Sequence, residues 1–273
     1  MFRGELGENQ EMIHQEVEHK VPAVSVEHET SWVNDDVKMP FDLKEGEPSV
    51  FGVFLSANPK ENEVAINLSA VDDHFRSAIV GKVIFSDKEG NIYRDVDIKG
   101  MGAILPGGGG VESPVPNSAK NFSRGTTPWG YLDKQWAEVD RDMSERLLKR
   151  GLRTHRALAI IELKQIIDEN GEKISINQAR KRGYIKHTTV PAIEIRAFGT
   201  RARIGDAKKD RELIDDAKKL VARETSKEFS DEEYLDWFAA TLGKQVAIIH
   251  NEGLIHDYLT THNINVGLPH CGQ

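Results

Sequence analysis

Several residues of this 273-residue chain have types and spacings that suit phosphate chemistry. Lys99 ends a predicted strand and precedes a glycine-rich stretch, where an ammonium group can pair with phosphates. Arg196 and Arg203 lie seven residues apart in a segment that contains two glycines, and two guanidinium groups in one cleft would suit a triphosphate. Asn263 follows His256 by seven residues and offers an amide oxygen that can bind magnesium. These residues predict a nucleotide-binding site.

The elements that must position these residues occur in a sheet-first, helix-after order. Alternating and short apolar segments predict strands at 49–55, 63–68, 77–85, 92–100 and 190–196, with a hairpin over 83–98. Residues 157–163 are predicted to be a buried strand or the start of a helix. Amphipathic periodicity predicts helices over 133–150 and 231–252, the latter capped by Ser230, and a charged segment predicts another over 210–224. This order predicts an α+β fold with a mixed or antiparallel sheet.

Composition divides the chain into three predicted parts. Residues 1–47 are polar and acidic and lack a sustained apolar period, which predicts a flexible arm. Residues 48–205 are predicted to form a sheet-rich nucleotide-binding lobe, and residues 206–273 a partial helical lobe with a segment resembling a catalytic loop. The Gly- and Pro-rich stretch 100–130 predicts a long loop. Its four consecutive glycines, 107–110, favour a lid or spacer, because the lysine and hydroxyl residue of a phosphate-binding loop are missing.

The composition also argues against several classes of protein. Lys and Arg number 36 against 44 Asp and Glu, a net charge of −8, whereas nucleic-acid-binding domains are usually basic. No apolar run reaches ~18 residues and no apolar signal segment occurs, so neither a membrane partner nor secretion is predicted. The single cysteine, Cys271, cannot form an internal disulfide, and a cytoplasmic location is predicted.

Five segments, in their order along the chain, match the motifs of one protein family. They are I-K-G-M-G at 98–102, T-P-W at 127–129, G-L-R-T-H-R-A-L-A at 151–159, R-A-F-G-T-R-A-R-I-G at 196–205 and G-L-I-H-D-Y-L-T-T-H-N-I at 253–264. The first resembles the L-K-G-x-G of the selenoprotein O family, and the last resembles its G-F-V-H-G-V-M-N-T-D-N-M. The two arginines of 196–205 fall, with identical spacing, on those of the family's R-V-A-P-S-x-I-R-F-G. Members of this family have a protein-kinase-like fold and transfer AMP from ATP to protein hydroxyl groups.

The resemblance implies a kinase-like fold with a sheet lobe and an incomplete helical lobe. It also implies ATP and Mg²⁺ as cofactors and a protein substrate with Ser, Thr or Tyr hydroxyls. Asn263 would bind the metal, and His262 takes the place of the family's proton-accepting aspartate. A neutral imidazole can accept a proton near pH 7. The implied nucleotide-binding residues are Arg76, Lys99, Asp133, Glu145, Arg196 and Arg203.

The chain departs from the family pattern near Arg76 and on the helix after Lys99. Residues 73–76 keep Arg76 but lack the glycines of the family's first glycine-rich motif. The acidic partner of Lys99 is predicted to be Glu145, with Glu138 and Asp140 as alternatives.

A further departure concerns the second metal ligand. The family has an aspartate about nine residues after the metal-binding asparagine, where this chain has Gly272. We therefore expect either that the sequence is truncated at its C-terminal end or that the gene has decayed. The missing aspartate and the replacement by His262 favour one alternative function, a pseudoenzyme that binds nucleotide without transferring any group. A kinase that transfers the γ-phosphate is a second alternative, because the same fold supports it.

Overall fold

An antiparallel sheet contains most of the strands in the computed structural model, which describes residues 18–39, 41–57, 59–71, 76–104, 111–112, 130–168, 170–255 and 259–267. The described strands are β1 (Glu18–Ser25), β2 (His28–Val33), β3 (Val53–Leu55), β4 (Val64–Val71), β5 (Ser77–Ser86), β6 (Ile92–Lys99), β7 (Ala103–Ile104), β8 (Val111–Glu112), β9 (Leu132–Asp133), β10 (Arg156–Leu163), β11 (Gln165–Ile167), β12 (Lys173–Ser175) and β13 (Pro191–Phe198). Nine of them form one sheet in the order β2-β10-β13-β6-β5-β4-β1-β3, with β9 paired to β13. β7 pairs with β8, and β11 with β12, in two small sheets.

The described α-helices lie in the second half of the chain. They are α1 (Lys134–Lys149), α2 (Ile176–Lys181), α3 (Ile204–Ala207), α4 (Glu212–Thr225) and α5 (Asp231–Asn251). Ser230 caps α5 as predicted: its hydroxyl accepts a hydrogen bond from the Glu233 N–H, and the Glu233 carboxylate accepts one from the Ser230 N–H. No helix in the described ranges is both long and apolar enough to span a membrane. The predicted α+β class with an antiparallel sheet is confirmed.

The segment predicted to be a flexible arm, 1–47, contributes two strands to the sheet. β1 lies between β3 and β4, and β2 pairs with β10 at the edge of the sheet. Val21, Ala23 and Val24 are buried in the main core. The prediction of a flexible arm is therefore wrong for 18–33. These short strands bury only a few apolar side chains among many polar ones, so the sequence shows no clear strand pattern. Residues 1–17 lie outside the described ranges.

The other predicted elements differ from the structure mainly at their ends. The hairpin over 83–98 is confirmed as β5–β6, and the ambiguous segment 157–163 is the buried strand β10, which lies between β2 and β13. The strand predicted over 49–55 is shorter, because only Val53–Leu55 pairs with β1. Most of the predicted loop 100–130, including the glycines 107–110, lies outside the described ranges.

The strands β6 and β13 each have an apolar face and a charged face. Alternate side chains of a strand point to opposite sides of the sheet. The apolar residues Val96, Ile98, Ile193, Ile195 and Ala197 belong to the main core. The other face carries Asp95, Asp97, Lys99, Glu194 and Arg196, and α1 packs against β10 and β13 nearby. The sheet thus places ionisable groups in the interior of the molecule.

Candidate functional site

Cross-strand pairing places Arg196 beside Asp97 on the charged face. The two residues lie opposite each other in β13 and β6. Arg196 donates from Nε to Asp97 Oδ1 at 2.9 Å and from Nη2 to Oδ2 at 2.8 Å. Arg201 donates from Nε to the same carboxylate at 2.7 Å and from Nη2 to Ser77 Oγ at 2.8 Å. Burial would raise the pKa of Asp97, but the charges of Arg196 and Arg201 hold it well below its usual range.

These two guanidinium groups form part of the wall of an open cleft. Its lining residues are His155, Arg196, Phe198, Arg201, Arg203, Asn263 and Asn265. The volume in which the centre of a water molecule can lie is about 30 Å³. A single bound water needs roughly 10–15 Å³ of such volume. The cleft therefore has space for a few waters, or for phosphate oxygens that displace them.

Arg203 lines the same cleft without the carboxylate partner that Arg196 and Arg201 have. Within the described ranges, no residue accepts a hydrogen bond from its guanidinium group, although its backbone N–H donates to Asp206 Oδ2 at 2.8 Å. Burial and then the neighbouring charge of Arg201 lower the pKa of Arg203 to about 9. An anion in the cleft would compensate this charge directly.

Backbone hydrogen bonds join the two chain segments 200–205 and 260–266, which contribute Arg203 and Asn263 to this cleft. The Ile204 N–H donates to the Ile264 oxygen, the Gly205 N–H to the Thr261 oxygen and the Val266 N–H to the Ala202 oxygen, each at 2.9 Å. The Asn265 side chain adds a bond from Nδ2 to the Thr200 oxygen, also at 2.9 Å. The segments 200–205 and 260–266 are therefore held together, and Asn263 lies in the same cleft as Arg203.

A second cluster, formed by Lys99, Asp140, His155 and Glu194, adjoins Arg196. Lys99 Nζ is 3.4 Å from Asp140 Oδ2 and 3.8 Å from Glu194 Oε2, while His155 Nε2 is 3.5 Å from Asp140 Oδ2. Arg196 Nη1 also lies 3.8 Å from Asp140 Oδ2. We refer to these four residues as the acid–histidine cluster.

The acid–histidine cluster strongly perturbs the ionisation of its members. Burial and the Asp140 carboxylate raise the pKa of Glu194 to about 8. Burial lowers the pKa of His155 to about 4, despite the opposing charge of Asp140. For Asp140, burial is outweighed by the positive charges around it, so its pKa lies well below the usual range. Neighbouring carboxyls with such divergent pKa values are typical of functional sites.

The structure brings some of the predicted site residues together. Arg196, Arg203 and Asn263 line one cleft, and Lys99 belongs to the adjoining acid–histidine cluster, where it contacts Asp140. Arg76 lies exposed just before β5, close enough to Arg196 for the two positive charges to repel each other. His262 is exposed and packs against Gly205, where an added Cβ would lie 3.1 Å from the His262 Nδ1. His256 lies outside the described ranges.

Two of the predicted nucleotide-binding residues, Asp133 and Glu145, make contacts within the fold. The partner of Lys99 is Asp140, one of the two alternatives, because Glu145 is bound to Arg156 at 2.7 and 3.2 Å. Asp133 caps α1, where its carboxylate accepts a hydrogen bond from the Gln135 N–H at 3.2 Å. The prediction of Glu145 as the Lys99 partner is therefore wrong.

Five important residues of the site were not predicted: Asp97, His155, Glu194, Arg201 and Asn265. A signal for three of them exists in the sequence. Asp97 lies two residues before Lys99, and Glu194 two residues before Arg196, so each pair lies on one face of its strand. Arg201 lies within the motif that contains Arg196 and Arg203. Charged residues that alternate with apolar ones inside buried strands indicate such a site.

The arrangement can bind an anion between arginines and can hold charged groups in a partly water-excluded setting. Comparison of the chain with protein-family models and with curated proteins found no match. The resemblance to the selenoprotein O family remains a prediction from the sequence motifs.

Proposed function

We propose that this chain has a kinase-like nucleotide site, binds ATP with Mg²⁺ in the arginine-lined cleft, and transfers AMP to Ser, Thr or Tyr hydroxyls of a protein. The observation that supports this most is the position of Arg203. Its guanidinium group faces the cleft without an acceptor in the described ranges, beside Arg196 and Asn263. The two arginines belong to the motif at 196–205 and the asparagine to the distant motif at 253–264, and all three line the same cleft.

In this proposal, Arg203 and Arg196 bind phosphate oxygens of the nucleotide. Asp97 fixes the Arg196 guanidinium through two hydrogen bonds, so this group is oriented before the ligand arrives. The Lys99 ammonium group lies near the Asp140 and Glu194 carboxylates on a flexible four-carbon stem. It can turn toward a phosphate, because its contact with Asp140 is long, at 3.4 Å.

Asn263 would hold the magnesium ion, together with phosphate oxygens. A single amide oxygen from the protein can be sufficient, because Mg²⁺ retains several waters and is bound mainly through the phosphates. The ion would neutralise charge on the phosphates. The residues of the chain would position the α-phosphate and exclude water from it.

The transfer step forms one bond and breaks one. The substrate hydroxyl oxygen attacks the α-phosphorus, the bond from that phosphorus to the bridging oxygen breaks, and pyrophosphate leaves. The hydroxyl proton passes to a base, and His262 occupies the corresponding position of the motif. We place this reaction in the cytoplasm, in line with the single cysteine of the chain.

Incubation of the full chain and a protein mixture with ATP labelled at either the α- or the γ-phosphorus tests this proposal. We expect label on protein from the α position only, and its loss in Lys99→Ala and Arg203→Ala. An exposed arginine, Arg211 (side chain 80% exposed), provides the control variant Arg211→Ala. Label from the γ position would instead identify a kinase and contradict AMP transfer.

A nucleotide-binding pseudoenzyme is the second candidate, and it is favoured by the presence of His262 where the family motif has an aspartate. A neutral imidazole supplies no negative charge beside a metal, unlike the aspartate of the family motif. This candidate predicts that ATP with Mg²⁺ raises the melting temperature of the chain while no label reaches any protein. If ATP leaves the melting temperature unchanged in both the native chain and Lys99→Ala, the nucleotide proposal fails altogether.

A further inference from the structure

Three side chains of the acid–histidine cluster converge on one point in the interior. One ligand atom each from Asp140, His155 and Glu194 lies within 4.8 Å of the other two. The three residues come from different parts of the fold: α1, the segment before β10, and the centre of β13. All three are well shielded from solvent, since the side-chain exposures are 12%, 5% and 0%.

The ligand atoms of this cluster are not satisfied by the rest of the described chain. Neither carboxylate oxygen of Glu194 has a hydrogen-bond partner there, and His155 Nε2 has none either. A buried carboxylate without donors is costly, so natural proteins pair such groups or bind a metal with them. The Lys99 ammonium lies 3.8 Å from Glu194 Oε2, too far for a hydrogen bond.

The donor set favours one class of ion. Imidazole nitrogen with two carboxylate oxygens suits divalent first-row transition metals such as Zn²⁺, Mn²⁺ and Co²⁺, whereas Mg²⁺ and Ca²⁺ prefer all-oxygen ligands. We propose that Asp140, His155 and Glu194 bind one divalent transition-metal ion. With three protein ligands, such an ion keeps a position open for a further ligand, and His155 lies in the wall of the arginine-lined cleft.

Lys99 is the main competitor for this position. Its ammonium group contacts Asp140 at 3.4 Å, and Arg196 Nη1 lies 3.8 Å from the same oxygen. Arg196 is held elsewhere by Asp97, but Lys99 has a flexible stem and its side chain is 19% exposed. Metal binding therefore requires the ammonium group to turn out toward the cleft, and removal of that charge should tighten binding.

A shared proton between Asp140 and Glu194 is the rival explanation of the unsatisfied oxygens. A carboxylic acid and a carboxylate can hydrogen-bond to each other, and no metal is then needed. The two explanations make different predictions for the isolated chain, and neither depends on ATP or on AMP transfer.

Titration of the metal-free full chain with Zn²⁺, followed by calorimetry, and with Co²⁺, followed by its visible absorption, tests the metal site. We expect one ion per chain and intense Co²⁺ absorption. The affinity should fall at least about tenfold in His155→Ala and in Glu194→Gln, rise in Lys99→Met, and stay unchanged in His187→Ala, an exposed histidine.

The absence of stoichiometric binding, or binding that persists unchanged in both His155→Ala and Glu194→Gln, would overturn the metal site and favour the shared proton. Far-ultraviolet circular dichroism shows whether each variant is folded. If His155→Ala does not fold, Glu194→Gln and Lys99→Met decide, because they must shift the affinity in opposite directions.

Discussion

Arg156, which is buried, and Arg203, which is partly buried, differ in how their charge is compensated. Arg156, whose side chain is 2% exposed, donates to Glu145 at 2.7 and 3.2 Å and to Asp87 at 3.0 Å. Arg203 lies in the cleft wall with no acceptor for its guanidinium group in the described ranges. Arg156 is hydrogen-bonded to two carboxylates and holds elements of the fold together. The Arg203 guanidinium group can instead donate hydrogen bonds to a ligand in the cleft.

The surroundings of Arg156 explain its structural role. It joins α1, through Glu145, to the β5–β6 turn, through Asp87, which also accepts hydrogen bonds from Asn91 and Tyr93. We call Arg156, Glu145 and Asp87 the arginine clamp. The cleft around Arg203 instead has an excess of arginines, so an additional anion would be stabilising there.

The largest expected effect is the loss of stability in Arg156→Met. This change keeps much of the apolar stem but leaves Asp87 and Glu145 without their buried cation, which typically costs about 3–5 kcal/mol. Urea unfolding should show this loss. A loss below about 1 kcal/mol would mean that the clamp does not stabilise the fold.

Asp87→Asn tests the clamp from its acidic side. Burial would raise the pKa of Asp87, but hydrogen bonds from Asn91 and the charge of Arg156 lower it below its usual value. A carboxylate with a lowered pKa stabilises the fold above the pKa of the unfolded state, near 3.8, and this stabilisation disappears as the pH falls through the folded value.

We therefore expect Asp87→Asn to lower the free energy of unfolding by roughly 1–3 kcal/mol at pH 7. The difference from the native chain should shrink below about pH 4. Urea titrations at several pH values measure it. A difference that is constant down to pH 2 would contradict an ionised Asp87 in the clamp.

Tyr234→Phe should have a smaller effect, on the segment that carries Asn263. The buried Tyr234 hydroxyl donates to the Val266 oxygen, and loss of such a bond costs on the order of 1 kcal/mol. Thermal unfolding should detect the change. An unchanged melting temperature would show that the bonds to 200–205 are sufficient to hold 260–266 in place.

Arg203→Met should have the smallest effect on stability, in contrast to Arg156→Met. The Arg203 guanidinium group has no hydrogen-bond acceptor among the described residues, although the charges of Asp206 and Asp97 act on it. Its removal should therefore change the free energy of unfolding by no more than about 0.5 kcal/mol. Inorganic phosphate should raise the melting temperature of the native chain, and Arg203→Met should abolish this rise. A loss of several kcal/mol would place Arg203 with the arginine clamp instead.

The sequence predicts the local elements of this fold better than it predicts their partners. The hairpin, the Ser230 cap and the three long helices follow from short-range patterns. The strands β1 and β2 were missed because their evidence lies in pairing with β4 and β10, more than thirty residues away. Long-range pairing of this kind leaves little trace in a single sequence.

The site shows the same limit. Arg196, Arg203 and Asn263 could be selected from motif spacing, but their shared cleft depends on hydrogen bonds between distant segments. Glu145 was chosen over Asp140 as the partner of Lys99. These two residues are five apart, or about 140° around an α-helix, so only one can face Lys99, and Glu145 faces Arg156.

Calorimetric titration of the full chain with ATP and Mg²⁺ determines whether the arginine-lined cleft binds a nucleotide. We expect saturable binding to the native chain and to Arg211→Ala, and binding at least about tenfold weaker for Arg203→Met, because a charge-assisted bond to phosphate is lost. Equal affinities for the native chain and Arg203→Met, or no binding to either, would contradict the assignment of this cleft as a nucleotide site.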